Sequence, residues 1–191
     1  MSANNPTEAL EREHRFIEKV VKACSVTVEE LGPGGEVDPD LLGRIVDFMR
    51  VYADKCHHGK EEALLFPALF ERGVPPTGCP ISALTAEHVQ GRRLVRGLID
   101  ALELLRRGDP KAAGSILENL KGICGLYPNH IWKEDYLLFP MTLKVMNAED
   151  LTGLGAKFDT VDQSIGMDQL RAYERFADEL EGRWKASPAK P

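Results

Sequence analysis

The sequence predicts an all-α protein, an up-down four-helix bundle with an additional C-terminal helical segment. Three observations support this prediction. Apolar residues recur at intervals of three and four along four long segments, which is the spacing of one helix face. Turns rich in glycine and proline separate the segments. The alternation of apolar and polar residues that is typical of half-buried strands is nearly absent.

The first predicted helix ends at the glycine-rich turn of residues 32–35. Its inward face comprises Leu10, His14, Ile17, Val21, Cys24, Val28 and Leu31. The second begins at Asp38, an N-cap residue followed by a proline in the first turn, and it ends at Gly73. Its inward face comprises Leu42, Val46, Met49, Ala53, His57, Glu61, Leu64 and Ala68.

The third predicted helix ends at Gly108, and the fourth begins with the cap and proline of Asp109 and Pro110. The inward face of the third comprises Ile81, Leu84, His88, Gly91, Val95, Leu98, Leu102 and Leu105. That of the fourth comprises Ala113, Ile116, Leu120, Ile123, Tyr127, His130, Glu134, Leu137 and Met141. Short polar turns between long helices predict antiparallel neighbours.

Residues 1–147 are expected to form the bundle, and residues 148–191 a C-terminal helical extension. An amphipathic helix in the extension is marked by Leu170, Tyr173, Phe176, Leu180 and Trp184. We expect this helix to pack on the bundle or on a partner subunit.

The charge of the chain excludes some classes of partner. Its 191 residues include 30 acidic and 24 basic residues, for a net charge of −6. Non-specific binding to nucleic acid or to an anionic membrane needs a basic face, so neither partner is expected. No stretch has the roughly 18 uncharged apolar residues of a membrane span, and residues 1–10 show no signal-peptide pattern. We expect a cytoplasmic monomer or homodimer.

Six polar residues on the inward faces carry the chemistry of this sequence. They are His14, His57, Glu61, His88, His130 and Glu134. Burying such groups without partners would cost several kcal/mol each, so they are expected to satisfy one another or to bind something.

These residues belong to a duplicated pattern. Residues 9–14, Ala-Leu-Glu-Arg-Glu-His, match residues 83–88, Ala-Leu-Thr-Ala-Glu-His. Residues 57–67, His-His-Gly-Lys-Glu-Glu-Ala-Leu-Leu-Phe-Pro, match residues 130–140, His-Ile-Trp-Lys-Glu-Asp-Tyr-Leu-Leu-Phe-Pro. A histidine and a glutamate four residues apart lie on one helix face and can bind one metal or flank two. Two such pairs and two further histidines suit a two-metal centre, and their nitrogen and oxygen donors favour iron or manganese.

The series His, His-x3-Glu, His, His-x3-Glu resembles that of the hemerythrin HHE cation-binding family over about residues 7–146. The resemblance implies a four-helix bundle with two iron ions in a non-haem centre that has an oxo or hydroxo bridge; manganese is the alternative metal. It further implies that His14 and His57 bind one iron and that His88 and His130 bind the other. The bridging carboxylates would be Glu61 and Glu134.

One position departs from the oxygen-carrying hemerythrins. Those proteins supply a fifth histidine from a His-x3-His pair on the third helix, whereas Arg92 stands four residues after His88 here. The resemblance therefore implies a more open site, like that of bacterial hemerythrin-like proteins. The predicted function is binding of O2, NO or peroxide. The alternatives are an enzyme of oxidative or nitrosative stress defence, through peroxide disposal or iron-sulfur cluster repair, and iron homeostasis; whether the chain is an enzyme stays open.

Four neighbouring residues are candidates for supporting roles. His58 lies one position after His57, a step of about 100° on an α-helix, which turns it away from the site. Tyr127 either packs or acts at the site as a hydrogen-bond donor, a ligand or a redox-active phenol. Asp54 is expected to orient His57, as carboxylates beside metal ligands often do. Arg92 is either a solvated charge or a gate beside an open metal position.

Two other metal-site classes fit less well, and a purely structural bundle would leave the buried ligands unused. A ferritin-like di-iron oxidase uses Glu-x-x-His pairs. Glu11 and His14 have that spacing, but Thr85 stands at the equivalent position before His88. A zinc peptidase would need His-Glu-x-x-His, which is absent.

Overall fold

The computed structural model describes residues 5–31, 37–78 and 80–186, which form six helices and no strand in those ranges. The four long helices of the predicted bundle are present, and the extension contains two helices. The bounds are α1, Pro6–Glu30; α2, from Pro39–Phe48 through Met49–His58 and Glu61–Leu65 to Phe66–Glu71; α3, Ile81–Arg106; α4, from Ala112–Lys133 through Glu134–Leu138 to Phe139–Val145; α5, Ala148–Ile165; and α6, Met167–Ala186.

Helices α2 and α4 contain π-helical stretches, in which hydrogen bonds run from residue i to i+5 and the turn is wider than in an α-helix. These stretches are Met49–His58, Glu61–Leu65 and Glu134–Leu138. A wider turn rotates less per residue, so the inward face drifts from the predicted one. Leu138 is fully buried whereas the predicted Leu137 is 42% exposed, and Leu65 is fully buried in place of Leu64.

The helix ends follow the turn residues in most places. Asp38 accepts hydrogen bonds from two backbone N–H groups of α2, as expected of an N-cap. Gly73 and Gly108 have φ angles of 84° and 71°, which favour glycine after a helix. Helix α4 begins at Ala112, later than predicted, because residues 109–112 form a turn in which the Ala112 N–H bonds the Asp109 carbonyl. The predicted turn at residues 32–35 lies outside the described residues.

The buried apolar side chains form two clusters on either side of a polar layer. Leu10, Leu84 and Leu138 belong to the smaller cluster, whereas Ile17 and Val95 belong to the larger one. Each of the first four helices passes from one cluster to the other. The polar residues of the inward faces lie at this crossing, so the fold places them in one layer enclosed by apolar side chains.

The extension packs on the bundle. Helix α6 lies along α1, and its Tyr173 donates a hydrogen bond of 2.6 Å to Asp47 of α2. Phe158 of α5 belongs to the smaller apolar cluster, and Phe176 of α6 belongs to the larger one. Asn147 and Asp150 form a capping box at the start of α5. The division of the chain into two units at residue 147 stays a prediction.

None of the described helices combines the length and the apolar character that crossing a membrane requires.

Candidate metal centre

The four bundle helices bring the six predicted ligand residues into one buried layer. We call these residues the central cluster: His14 of α1, His57 and Glu61 of α2, His88 of α3, and His130 and Glu134 of α4. All six are at most 3% exposed. Spacing of four residues on α2 and α4 puts each histidine beside the glutamate that follows it.

Glu134 lies between histidines from opposite sides of the layer. Its Oε2 is 3.0 Å from Nε2 of His14, and its Oε1 is 3.1 Å from Nε2 of His130 and 3.7 Å from Nε2 of His88. The two oxygens of one carboxylate therefore face two different sets of imidazoles. This is the arrangement that a carboxylate bridging two metal ions requires.

Glu61 occupies a similar place with longer distances. Its Oε2 is 3.4 Å from Nε2 of His88 and 3.8 Å from Nε2 of His57. Burial, and then the nearby Glu134 carboxylate, raise the pKa of Glu61 to about 8. A cation between the two carboxylates would remove this repulsion.

Several polar atoms of the cluster make no hydrogen bond of good geometry within the described part of the chain, although the Glu134 oxygens are 3.0 and 3.1 Å from Nε2 of His14 and His130. These atoms are both carboxylate oxygens of Glu61, both of Glu134, and Nε2 of His88 and of His130. Buried polar atoms in native proteins are almost always paired, because each unpaired one costs stability. The unpaired atoms are imidazole nitrogens and carboxylate oxygens, which are donors that iron and manganese accept. The residues present therefore fit a metal pair.

Three groups in this layer place one potential donor atom from each residue within 4.8 Å of the others. They are His14, His57 and Glu134; Glu61, His88 and Glu134; and His58, His88 and His130. Because the first two share Glu134, they describe adjacent positions on either side of one carboxylate. The pairing of His14 with His57 also shows in a 3.0 Å separation of their Nε2 atoms.

A fourth group lies outside the layer and already contains a cation. It consists of Glu13, Cys56 and Asp162. The Lys60 ammonium is 2.5 Å from a carboxylate oxygen of Glu13 and 2.5 Å from one of Asp162. This lysine is fully buried, so the group is an internal ion pair rather than a metal site.

Every histidine of the layer has a carboxylate on its Nδ1, which leaves Nε2 directed inward. His57 contacts Glu13 at 2.9 Å, and His130 contacts Glu87 at 3.1 Å. The remaining pairs are His14 with Asp135 at 2.6 Å, His88 with Glu62 at 2.7 Å, and His58 with Asp54 at 3.3 Å. Metal-bound histidines usually have such a partner, which orients the ring and sets its tautomer.

Sequence reasoning missed four of these carboxylates, although the duplicated pattern contains them. Glu13 and Glu87 directly precede the first histidine of each repeat, and Glu62 and Asp135 directly follow its glutamate. Their equivalent positions were a signal that they share a role. Only the structure shows which histidine each one contacts.

His58 differs most from its prediction. It was expected to turn away from the site, but it is 3% exposed and its ring stacks on that of His88 with centroids 3.9 Å apart. The equivalent pair His130 and Ile131 is also buried, although its helix is α-helical there. In both halves the packing of the neighbouring helices therefore encloses two successive residues. Burial, followed by the neighbouring imidazoles, lowers the pKa of His58 to about 3, so its ring is neutral at physiological pH.

The other three supporting candidates also have defined contacts. Asp54 bonds His58 and not His57, whose Nδ1 is taken by Glu13. Arg92 donates hydrogen bonds to the carboxylates of Asp54 and Glu62, at 2.8 and 2.9 Å, so it is more than a solvated charge. These two bonds do not reach the residues of the central cluster. Tyr127 is buried with its ring 6.0 Å from that of His130, and burial raises the pKa of its hydroxyl.

Comparison with known proteins agrees with this geometry. A family model described as the hemerythrin HHE cation binding domain matches residues 5–142. The chain is 22% identical over 152 residues to uncharacterized proteins of Mycobacterium bovis and Mycobacterium tuberculosis. The matched region is 80% of this chain and 59% of each relative, so the chain spans less than two thirds of these relatives. No solved structure is significantly similar to it. The buried histidines and glutamates occur within the matched residues, and the chain belongs to the hemerythrin HHE cation binding domain family.

Proposed function

We propose that the central cluster holds two non-haem iron ions and that the chain uses them to take up a small ligand, namely O2, NO or hydrogen peroxide. The observation that carries the proposal is the set of fully buried oxygens of Glu61 and Glu134 that face the imidazoles without a hydrogen bond of good geometry. Bound iron would supply a coordination position for the ligand and the capacity to change oxidation state.

The residues of the chain would divide this work. His14 and His57 would bind one ion, His88 and His130 the other, and the carboxylates of Glu61 and Glu134 would lie between the two. The carboxylates on the Nδ1 atoms hold the rings in place, so each Nε2 stays directed inward. The apolar clusters on both sides exclude bulk water, which strengthens the electrostatic interactions within the layer.

The donor set supports iron, with manganese as the alternative. No cysteine belongs to the three groups of the layer, so the thiolate-binding metals lack their preferred donor there. Imidazoles and carboxylates in about a two-to-one ratio are compatible with a redox-active two-metal centre.

The metal content and visible spectrum of the purified protein test the proposal. We expect about two irons per chain, the content of a two-metal site, with charge-transfer bands that change on exposure to O2, NO or hydrogen peroxide. The double variant E61Q/E134Q should lose both the iron and the bands while the far-ultraviolet circular dichroism stays helical. A matched control, Glu103→Gln on an exposed face of α3, should retain both.

The same samples distinguish a binder from an enzyme that disposes of peroxide. Sustained oxygen evolution after addition of hydrogen peroxide would favour the enzyme, and bands that shift without turnover would favour the binder. A single zinc per chain, or no metal after anaerobic loading with ferrous iron, would contradict the proposal.

A further inference from the structure

We infer that His58 is a fifth imidazole ligand, bound to the same metal as His88 and His130, so that the two metals of the centre have unequal ligand sets. This inference rests on the proposed function, because it concerns the same iron pair. In the sequence, Arg92 replaces the fifth histidine that the third helix of the oxygen carriers supplies. The inference gives the role of that histidine to His58 of the second helix.

The first argument is the position of the ring. One potential donor nitrogen of His58 lies within 4.8 Å of those of His88 and His130. The ring stacks on His88 with an interplanar angle of 18° and meets the His130 ring nearly edge-on, with centroids 5.4 Å apart. The three imidazoles come from α2, α3 and α4, and it is the mutual distance of their donor atoms that makes them a group.

The second argument is the state of its two nitrogens. Nε2 of His58 is buried and has no hydrogen-bond partner within the described part of the chain. Nε2 of His88 and of His130 also make no hydrogen bond of good geometry, although carboxylate oxygens lie 3.4 and 3.1 Å from them. A histidine that only fills space in the core is expected to have both nitrogens satisfied, since an unpaired buried nitrogen costs stability. A metal among the three rings would pair all three nitrogens at once.

The third argument is the support behind the ring. Asp54 contacts Nδ1 of His58, as a carboxylate does for each of the four predicted ligand histidines. Arg92 bonds both Asp54 and Glu62, and so it ties the partner of His58 to the partner of His88. Arg92, at the position of the missing third-helix histidine, thus bonds the two carboxylates that orient the neighbouring rings of His58 and His88.

The fourth argument comes from the repeat, which has an equivalent position in the other half. Ile131 is equivalent to His58, and Tyr127 is equivalent to Asp54. Asp54 and His58 line a cavity of about 210 Å³ with Arg92, Val95 and Arg96. The equivalent residues line a cavity of about 290 Å³: Tyr127 and Ile131 with Glu18, Val21 and Lys22.

The two cavities are therefore counterparts with different chemistry. Asp54 and His58 line only the first cavity and Ile131 lines only the second, whereas Tyr127 lines both. It follows that the metal of His14 and His57 has no third imidazole.

Proton NMR of the protein loaded with Co²⁺, with ¹⁵N in the histidine rings, tests the assignment. Each imidazole bound through Nε2 keeps an Nδ1–H that donates to its carboxylate, and the nearby unpaired electrons shift that proton far outside the normal range. All five histidines of the chain should give such a signal. The variant His58→Ile, which copies the equivalent position, should lose one signal, and Ile99→Ala, which alters only the lining of the same cavity, should lose none.

The outcomes separate this inference from the proposed function. Four shifted signals in the unmodified protein, unchanged in number in His58→Ile, would overturn the role of His58 and leave the metal pair intact. No shifted signal at all would overturn both. If His58→Ile does not fold, His58→Gln is the second variant; because only ring nitrogens are labelled, it should also lose one signal, and retention of every signal would contradict the inference.

Discussion

The two halves of the duplicated site, residues 9–67 and 83–140, agree in the central cluster and differ directly around it. In both halves the glutamate before the first histidine contacts the second histidine and a lysine: Glu13 with His57 and Lys60 in the first half, and Glu87 with His130 and Lys133 in the second. The two halves thus also agree in the residues that contact the predicted ligands.

The first difference is in the extension that covers the first half. Asp162 of α5 adds a second carboxylate to Lys60, which is fully buried. Lys133 has no counterpart of this contact among the described residues, and its side chain is 26% exposed. The second difference is His58 with Asp54 in the first half against Ile131 with Tyr127 in the second. The two halves therefore have equivalent donor residues but different neighbouring residues.

The largest expected effect concerns the two glutamates. Glu134 lies within 3.1 Å of imidazoles from both pairs, whereas Glu61 is no closer than 3.4 Å to any. We expect Glu134→Gln to lower the iron content from about two per chain to less than one, and Glu61→Gln to lower it less. Elemental analysis after anaerobic iron loading measures both. Equal losses would show that the two carboxylates contribute equally and would contradict this ranking.

The second effect compares the two lysines. Lys60→Met leaves the carboxylates of Glu13 and Asp162 without their shared ammonium in a buried site, which should cost about 3–5 kcal/mol of unfolding free energy. Lys133→Met breaks a partly exposed pair and should cost about 1 kcal/mol or less. Urea denaturation of the metal-free variants measures both costs without a contribution from bound metal. A similar cost for the two would mean that the extension does not increase the burial of Lys60 in solution.

The smallest expected effect concerns the two arginines that bond carboxylates on the Nδ1 side of the histidines. Arg92 bonds two of them, Asp54 and Glu62, whereas Arg15 bonds Asp135 behind His14 and the exposed Glu18. Both guanidinium groups are partly solvated, so each ion pair is worth about 1 kcal/mol or less. We expect Arg92→Gln to weaken iron binding about fivefold and Arg15→Gln about twofold. Competition of the iron-loaded protein with a chelator measures this, and a larger loss in Arg15→Gln would reverse the ranking.

Much of the fold could be predicted from the sequence because apolar periodicity directly reports which face of a helix is buried. The four bundle helices, the N-cap at Asp38 and the turns at Gly73 and Gly108 agree with the structure. The errors are concentrated where the helix is not an α-helix. A period of 3.6 residues selects Leu64 and Leu137, but the π-helical stretches bury Leu65 and Leu138 instead.

The prediction of the site was less complete than that of the helices. The six residues of the central cluster were recognisable because polar residues on an apolar face, repeated at equal spacing, are uncommon without a shared role. His58 was expected to turn away after one step along the helix, but neighbouring helices enclose this position in both halves, as the burial of Ile131 shows. Asp54 was paired with His57, whose Nδ1 instead contacts Glu13 of α1.

The sequence by itself determined the helices, the layer of histidines and glutamates, and the family, since each depends on residue type at a fixed spacing along one chain. The tertiary structure alone decided which carboxylate supports which imidazole, that α5 buries Lys60, and that His58 joins His88 and His130. Most of these contacts join residues of different helices that are far apart in the chain, and no pattern along a single helix specifies which side chains meet across the bundle.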